Sequence, residues 1–435
     1  MSSPTNDNLP AASSLPASLK GKKIVLVNHS DTLGCAAKAS FRLMQALRRE
    51  GLDVRMVVYT RSSSEANVSE VGSRLSRGIR YCAERLFVMA HCDRSGHGNY
   101  VVSTGTLAVN IHNHPWVREA DIVCLNWINL GLMNLRGIRR LHEAGKKIVW
   151  TLHDMWAFTG VCHQAYECDY FTDTCGNCMY LKGGGHRGDL SHRMWKRKMR
   201  LYADIPVTFV TDSRWLEHKA RSSSLLRNMP VMTIPNPVPV DLHYTVQPRH
   251  IDSLLTLSKP HLILMGANRL DEPSKGLDYA IDALNHIFDN YPETATDTAV
   301  YLFGCLRNPE VLDRLRMSHR WLGRVNDPKI LRYLYSSAKV ILSTAILENV
   351  SDTVLEGMAS GAVPVVFGGD SREELVSHLD NGYVAASRDT LDIAKGIMWA
   401  IDADIPRDDQ HRFVRENFSP QVVARKYIDL FAQLV

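Results

Sequence analysis

The feature that most constrains this chain is its alternation. From Lys22 onward, short β-branched runs take turns with longer amphipathic runs. "KKIVLVN" reads as a strand, "CAAKASFRLMQALRREG" as a helix closed by Gly51, and "DVRMVVY" as the next strand. "DIVCLNW" and "KKIVWTLH" bracket a helix between Leu130 and Glu143, and "PVTFVTDS" is a further strand, with Ser213 as the N-cap of the helix that opens "RWLEHKA". The strand runs are continuously apolar rather than alternating. They therefore fit strands buried on both faces, which is the signature of a parallel sheet flanked by helices. A chain written this way is committed to a doubly wound α/β architecture.

The pattern stops and restarts. "IPNPVPVDLHY", residues 234–244, sets prolines after a strand and breaks both helix and sheet. Beyond it come the strand "HLILMGAN", the helix "KGLDYAIDALNHIF", the strands "TAVYLFG" and "WLGRV", and the helix "DPKILRYLYSSA". With 435 residues, more than one core is expected. The reading is a tail over residues 1–20 rich in Ser, Pro, Ala and Asn, a first Rossmann-like domain over 21–238, and a second over 239–418. A last helix over 419–435 carries Val422, Val423, Tyr427, Leu430, Phe431 and Leu434 mostly on one side and returns to the first domain.

Composition removes several classes. The net charge of +5 is mild and no nucleic-acid-binding motif is present. The N-terminal stretch lacks the apolar centre of a signal peptide, and no run approaches the roughly 18–20 apolar residues of a membrane span. A cytoplasmic protein is expected, in which nine cysteines are free or metal-bound rather than paired.

Within the second half, "ILENVSDTVLEGMASGAVPVVFGG" sets Glu348 and Glu356 among small and apolar residues. The preceding "KVILST" is a strand. Glu348 then lies in the loop after it, and Glu356 lies in the helix that Ser351 or Asp352 caps. Ligands of open α/β sheets bind at that carboxyl edge. Two solvated acids are the bland alternative. In "NRLDEPSKGLDYAIDAL", Arg269 and Lys275 share one loop before a helix beginning near Gly276, where an anion is favoured; two solvated cations are the alternative. In "HSDTLGCAAKAS", Gly34 allows a ligand close to the backbone, without a dinucleotide fingerprint or a Walker A loop.

Taken together, "SDTLGCAAKASFRL", "TLHDMWAFTG", "IPNPV", the Arg269–Lys275 loop and the E-x7-E segment resemble retaining glycosyltransferases of family 4, with the GT-B fold of two Rossmann-like domains facing across a cleft. "WTLHDMWAFTGVCHQAYECDYFTDTCGNC" is similar to the bacterial branch that builds capsule, exopolysaccharide and O-antigen. The resemblance runs from about Lys22 to the C-terminus. It implies a hexosyltransferase-type enzyme that moves a sugar from a nucleotide-diphosphate sugar to a hydroxyl of a glycan or lipid-linked glycan, with no catalytic metal. By position it implies that Glu348 binds hydroxyls of the transferred sugar and Glu356 the ribose. Arg269 and Lys275 would hold the diphosphate, with Gly34 approaching the phosphates and His153 facing the donor sugar. Cys35, Ser351 and Gly357 depart from frequent family residues. A GT-B sugar-nucleotide 2-epimerase and a non-catalytic sugar-nucleotide-binding subunit are the competing readings.

Two segments stand apart. Cys162, Cys168, Cys175 and Cys178 form C-x5-C-x6-C-x2-C. The spacing is compatible with a structural zinc, with His163 as a substitute ligand, with a disulfide, or with reduced thiols. "HRMWKRKMRLY", residues 192–202, is basic with Met194, Trp195, Met199 and Leu201. It reads either as a surface for an anionic membrane face, suited to a lipid-linked acceptor, or as a solvated helix with a few residues packed inward.

Overall fold

The computed structural model describes residues 15–92, 101–242 and 259–435. The chain divides into two compact units. The first comprises Met1–Val210, Ala220–Ile234 and Gln421–Val435, and the second comprises Thr211–Lys219 and Pro235–Pro420. Each unit is built on its own sheet.

In the first unit the strands are β1 (Lys23–Ser30), β2 (Asp53–Thr60), β3 (Val68–Glu70), β4 (Ile122–Leu125), β5 (Lys147–Leu152), β6 (Thr208–Thr211) and β7 (Val231–Thr233), in the order β3-β2-β1-β4-β5-β6-β7. β1 pairs in parallel with both β2 and β4. The strand order therefore reverses at β1, and the crevice at its carboxyl end is the ligand position of such sheets. Between strands run α1 (Cys35–Arg49), α2 (Arg74–His91), α3 (Pro115–Glu119), α4 (Leu135–Glu143) and α5 (Leu190–Asp204). α6 (Arg214–Ser222) begins with its Leu216 N–H donating to Ser213 Oγ.

The second sheet has the order β10-β9-β8-β11-β12-β13, formed by β8 (His261–Arg269), β9 (Thr298–Cys305), β10 (His319–Trp321), β11 (Val340–Ser343), β12 (Val363–Phe367) and β13 (Tyr383–Ala385). All five pairings are parallel. Its reversal lies at β8, between β9 and β11. Alternate residues divide between its faces: Ile263, Met265, Val300, Leu302 and Val340 enter one core, whereas Leu262, Leu264, Tyr301 and Ile341 enter another. The helices are α7 (Leu277–Asn290), α8 (Pro292–Asp297), α9 (Pro328–Ser337), α10 (Asp352–Ala359), α11 (Thr390–Asp402) and α12 (Arg407–Phe418).

The last helix, α13 (Pro420–Leu434), buries Val423, Tyr427, Ile428 and Phe431 in the core of β1, β2 and β4 in the first unit. Tyr427 Oη lies 2.9 Å from Thr151 Oγ1 on β5. Leu19 joins the same core from the short turn Ala17–Leu19. The expected tail thus gives up its last residues, because an apolar side chain there finds a buried place; residues 1–14 lie outside the described residues. The edge strand expected within "WLGRV" pairs instead at His319–Trp321. Among the described residues, no helix is long and apolar enough to cross a membrane.

Candidate active site

On the second unit, four residues named from sequence stand on the loops and the helix that follow β8 and β11. Arg269 ends β8, beyond a register shift that starts at Gly266. Its Nε lies 3.6 Å from Asp271 Oδ1 and its Nη2 lies 3.8 Å from Glu272 Oε2, beyond hydrogen-bonding reach. Arg269 Nε and Asp271 Oδ1 are both buried atoms without a hydrogen-bond partner among the described residues. Lys275 follows in the same loop and donates to Glu348 Oε1 at 2.6 Å.

The two loops are stitched by backbone. Ile346 N–H donates to Ser274 O at 2.8 Å, and Thr344 Oγ1–H donates to Gly276 O at 2.8 Å. Gly276 caps α7 at φ 67°, and a Cβ there would stand 1.9 Å from Thr344 O. Only glycine permits this approach, so Gly276 fixes where the free N–H groups of α7 sit beside Lys275.

Glu348 is held from behind. Its N–H donates to Asp370 Oδ2 at 2.7 Å, and Ser371 Oγ–H donates to its carbonyl at 2.9 Å. Asp370 is in turn gripped by Arg372, whose Nε and Nη2 donate to the two carboxylate oxygens at 2.9 and 2.8 Å. Arg372 also reaches Ala345 O at 2.6 Å and Ser343 O at 3.2 Å. This pair is fully buried, at 0% and 1% exposure, and it ties the segment from β11 to Glu348 into the unit.

Glu356 lies on α10, four residues past its start, and accepts from Tyr335 Oη at 3.1 Å. Burial pushes the Tyr335 hydroxyl well above its ordinary range, and the neighbouring Glu356 charge adds to this, so Tyr335 serves as a donor. α10 packs close to β11: a Cβ on Gly357 would meet Ile341 at 2.9 Å. Glycine at this position therefore has a packing cause.

Two further sequence-named residues sit at the carboxyl edge of the first unit's sheet. Gly34 caps α1 at φ 93°, where a Cβ would meet nothing within 4 Å. The preceding turn is pinned by Asp31, which accepts from Ser62 N–H (2.9 Å) and Ser63 N–H (2.8 Å). His153 follows β5, and its Nε2 lies 3.2 Å from Asn126 Oδ1. Its neighbour Asp154 accepts from Trp127 Nε1 (2.7 Å), Trp156 N (2.8 Å) and His163 Nδ1 (2.6 Å). Burial opposes ionisation of Asp154, but the His163 charge and these donors outweigh it and hold the carboxyl below its usual range. His163 Nε2 stands 2.9 Å from Ser103 Oγ. His29, at the end of β1, donates from Nδ1 to Asn129 O at 3.2 Å and stacks on Tyr59. Burial lowers it to about 4.

Asn126, Trp127, Tyr335, Asp370 and Arg372 escaped the sequence reading. The one signal was a polar "GDSREE" run directly after a fully apolar strand.

The cysteine segment gathers. Cys162, Cys168, Cys175 and Cys178 line one small cavity with Phe171 and Gly160. None of the nine cysteines is in a disulfide. Burial raises Cys162 strongly, Cys175 to about 11 and Cys178 to about 12. Among the described residues, no group of three or more His, Cys, Asp or Glu is arranged to hold a metal.

α5 packs residues 192–202 as the second of their two readings has it. Met194, Trp195 and Leu201 are buried; only Met199 of the four apolar residues is exposed. Lys198 is also buried and donates to Thr159 O (3.0 Å), Gly160 O (3.1 Å) and Trp156 O. The apolar face of this helix packs inward.

Comparison with known proteins accords with the geometry. Residues 259–403 match the family described as Glycosyl transferases group 1. HepE of Anabaena, solved with UDP and glucose, aligns over 95% of this chain and 100% of its own at 13% identity, with TM-score 0.63. The sucrose-phosphate synthase of Thermosynechococcus elongatus aligns over 95% and 99% at 14% identity, with TM-score 0.64. WaaG, a glycosyltransferase involved in lipopolysaccharide biosynthesis, aligns over 94% and 99% at 14% identity, with TM-score 0.61. No curated protein matches by sequence. The fold is GT-B, and fold and domain match together define an enzyme of the glycosyltransferase class.

Proposed function

We propose that the chain is a retaining glycosyltransferase that moves a sugar from a nucleotide-diphosphate sugar to a hydroxyl of a glycan or lipid-linked glycan, in bacterial surface-polysaccharide synthesis. The observation that carries the reading is that Arg269, whose Nε is buried and makes no hydrogen bond, shares with Lys275 and the start of α7 the loop where the second sheet reverses. A guanidinium that Asp271 and Glu272 neighbour at 3.6 and 3.8 Å without hydrogen-bonding it, on one loop with an ammonium and free helix N–H groups, suits a diphosphate. HepE has been solved with UDP and with UDP-glucose, which supports a donor of this class.

In this reading Arg269 and Lys275 stabilise the charge that builds on the leaving diphosphate, the work a divalent ion does elsewhere. Glu356, steadied by Tyr335, accepts from the ribose hydroxyls. Glu348 turns from Lys275 toward the hydroxyls of the transferred sugar. Gly34 would let the phosphates approach its loop, and His153, held by Asn126, would face the donor sugar. The protein would work at the cytoplasmic face of the inner membrane.

The test is turnover of UDP- and GDP-sugars with and without acceptor, in the presence of EDTA, with the product anomer read by NMR. Acceptor-dependent nucleotide release with retained configuration is expected. Glu356→Ala should raise the Kd for free nucleotide, whereas Glu348→Ala should mainly lower kcat. Epimerised donor, or turnover indifferent to acceptor, overturns the reading.

A further inference from the structure

The chain that follows β5 runs through the interior: every residue from Met155 to His163 is buried. Buried backbone outside the regular ladders must find its hydrogen bonds elsewhere. Here five consecutive carbonyls find them on side chains. Tyr202 Oη–H donates to Ala157 O at 2.7 Å, and Ser223 Oγ–H donates to Phe158 O at 2.8 Å. The other three, of Trp156, Thr159 and Gly160, converge on Lys198 of α5. Gly160 admits this approach, since a Cβ there would stand 2.5 Å from Ser191 O.

Lys198 is fully buried, and its Nζ also stands 3.7 Å from the centre of the Trp156 ring. Its hydrogen-bond partners are carbonyls, with no carboxylate among them. A buried ammonium without a counter-ion is strongly disfavoured, and burial draws this one down to about 7. Three carbonyl acceptors nonetheless call for three N–H donors, which the ammonium has and the neutral amine lacks. The start of the same turn is held by the opposite charge. Asp154 takes its three donors there, one of them Trp156 N–H, and Met155 N–H donates to His163 O at 2.9 Å. His153 stands directly ahead of this hold. It walls one small cavity with Asn126, Asp154, Trp156 and Ala157. The carbonyls that Lys198 and Tyr202 gather thus include those of two residues on that wall. A turn released from Lys198 has this space to relax into, and His153 moves with it.

We infer that Lys198 is a positioning residue for the transfer reaction: by gathering the carbonyls of Trp156, Thr159 and Gly160, it fixes the direction in which His153 leaves β5. Lys198 itself is closed off from any substrate. The inference rests on the reading of His153 as the residue that faces the donor sugar. It gives the buried ammonium a purpose, because reacting groups tolerate little error in placement, and about 1 Å costs about a hundredfold in rate.

Lys198→Met, which keeps most of the stem and removes the ammonium, is the first test on the full chain. With the nucleotide sugar that wild type turns over, kcat should fall about a hundredfold, while KM for that donor and Kd for free nucleotide stay close to wild type. In nitrogen NMR spectra of the histidine rings, the His153 signal, assigned by its loss in His153→Gln, should move toward an average of both tautomers as the Asn126 contact loosens. Lys198→Ala, which leaves room for the missing stem, is the second variant. Propylammonium should restore its kcat and its His153 signal; propanol, of like size and uncharged, should not. Lys196→Met, exposed on the same helix, should change neither. A folded Lys198→Met with wild-type kcat and an unmoved His153 signal overturns the inference. So does a loss of kcat matched by an equal loss of nucleotide affinity, which would make Lys198 a prop of the whole fold. Rescue by propanol as full as by propylammonium overturns it too. Should wild type turn over no nucleotide sugar, the donor reading falls, and the His153 signal still decides whether Lys198 holds that residue.

Discussion

Asp370 offers the sharpest test of how the second unit holds Glu348. Its carboxylate meets Arg372 Nε and Nη2 at 2.9 and 2.8 Å and receives Glu348 N–H at 2.7 Å, in a place closed to water. Asp370→Ala leaves the Arg372 guanidinium charged, buried and without its counter-ion. Breaking a buried pair from one side costs about 3–5 kcal/mol. At about 2–4 °C per kcal/mol for a unit of this size, the midpoint should fall by roughly 6–20 °C. Replacing both partners is a different perturbation, since an apolar substitute of similar volume is often neutral. Asp370→Asn/Arg372→Met should therefore recover most of the loss. Scanning calorimetry of the three proteins reads the melting, and isothermal titration with nucleotide sugar reads whether Glu348 is still in place. Nucleotide-sugar affinity should drop in Asp370→Ala even where the unit remains folded. A single variant melting within about 2 °C of wild type, or a double variant no better than the single, would refute the account.

Three more outcomes follow from the geometry. Arg269→Ala and Lys275→Ala should each weaken UDP or GDP binding by about 1.5–3 kcal/mol, the worth of a charged hydrogen bond; unchanged calorimetric affinities in both would put the diphosphate elsewhere. His29 is held neutral at about 4 against an ordinary 6.5. The unfolded chain therefore binds the extra proton first, and the stability of the first unit should decline as pH falls from about 6.5 to about 4, by about 3 kcal/mol in all. His29→Phe should flatten that slope, and an identical slope in the variant would remove His29 as its source. Finally, Ellman titration in denaturant without reductant should find nine thiols per chain, and a count of seven or fewer would overturn this by showing a disulfide.

Much of this was written in the sequence, and the exceptions share a cause. The buried strands were legible because β1, β4, β8, β11 and β12 are apolar on both faces and need no partner to be recognised. β10 was misplaced within "WLGRV" because all three of its residues are exposed, so no pattern of burial marks it. The acids were legible by spacing and resemblance, and Gly276 by the helix it opens. Asp370 and Arg372 were not: a buried ion pair in "GDSREE" is spelled like any solvated turn, and only the carbonyls of Ser343 and Ala345 make it an interior. Asn126 lies 27 residues from His153 in sequence, and only the pairing of β4 with β5 brings them together.

α2 and α5 make the same point more fully. Each carries an apolar stripe among arginines, and in each the stripe itself is plain to read. What sequence alone does not state is the medium the stripe meets. In α5 it is protein: Met194 joins Val88 and Val161, and three carbonyls close on Lys198, so the helix cannot turn outward without stranding a buried ammonium and apolar side chains. In α2 Leu75, Ile79, Leu86 and Met89 stay at the surface, while Glu84 is drawn inward to Thr104 N–H and Arg85 to Val102 O, so the same spelling leaves the apolar residues outside.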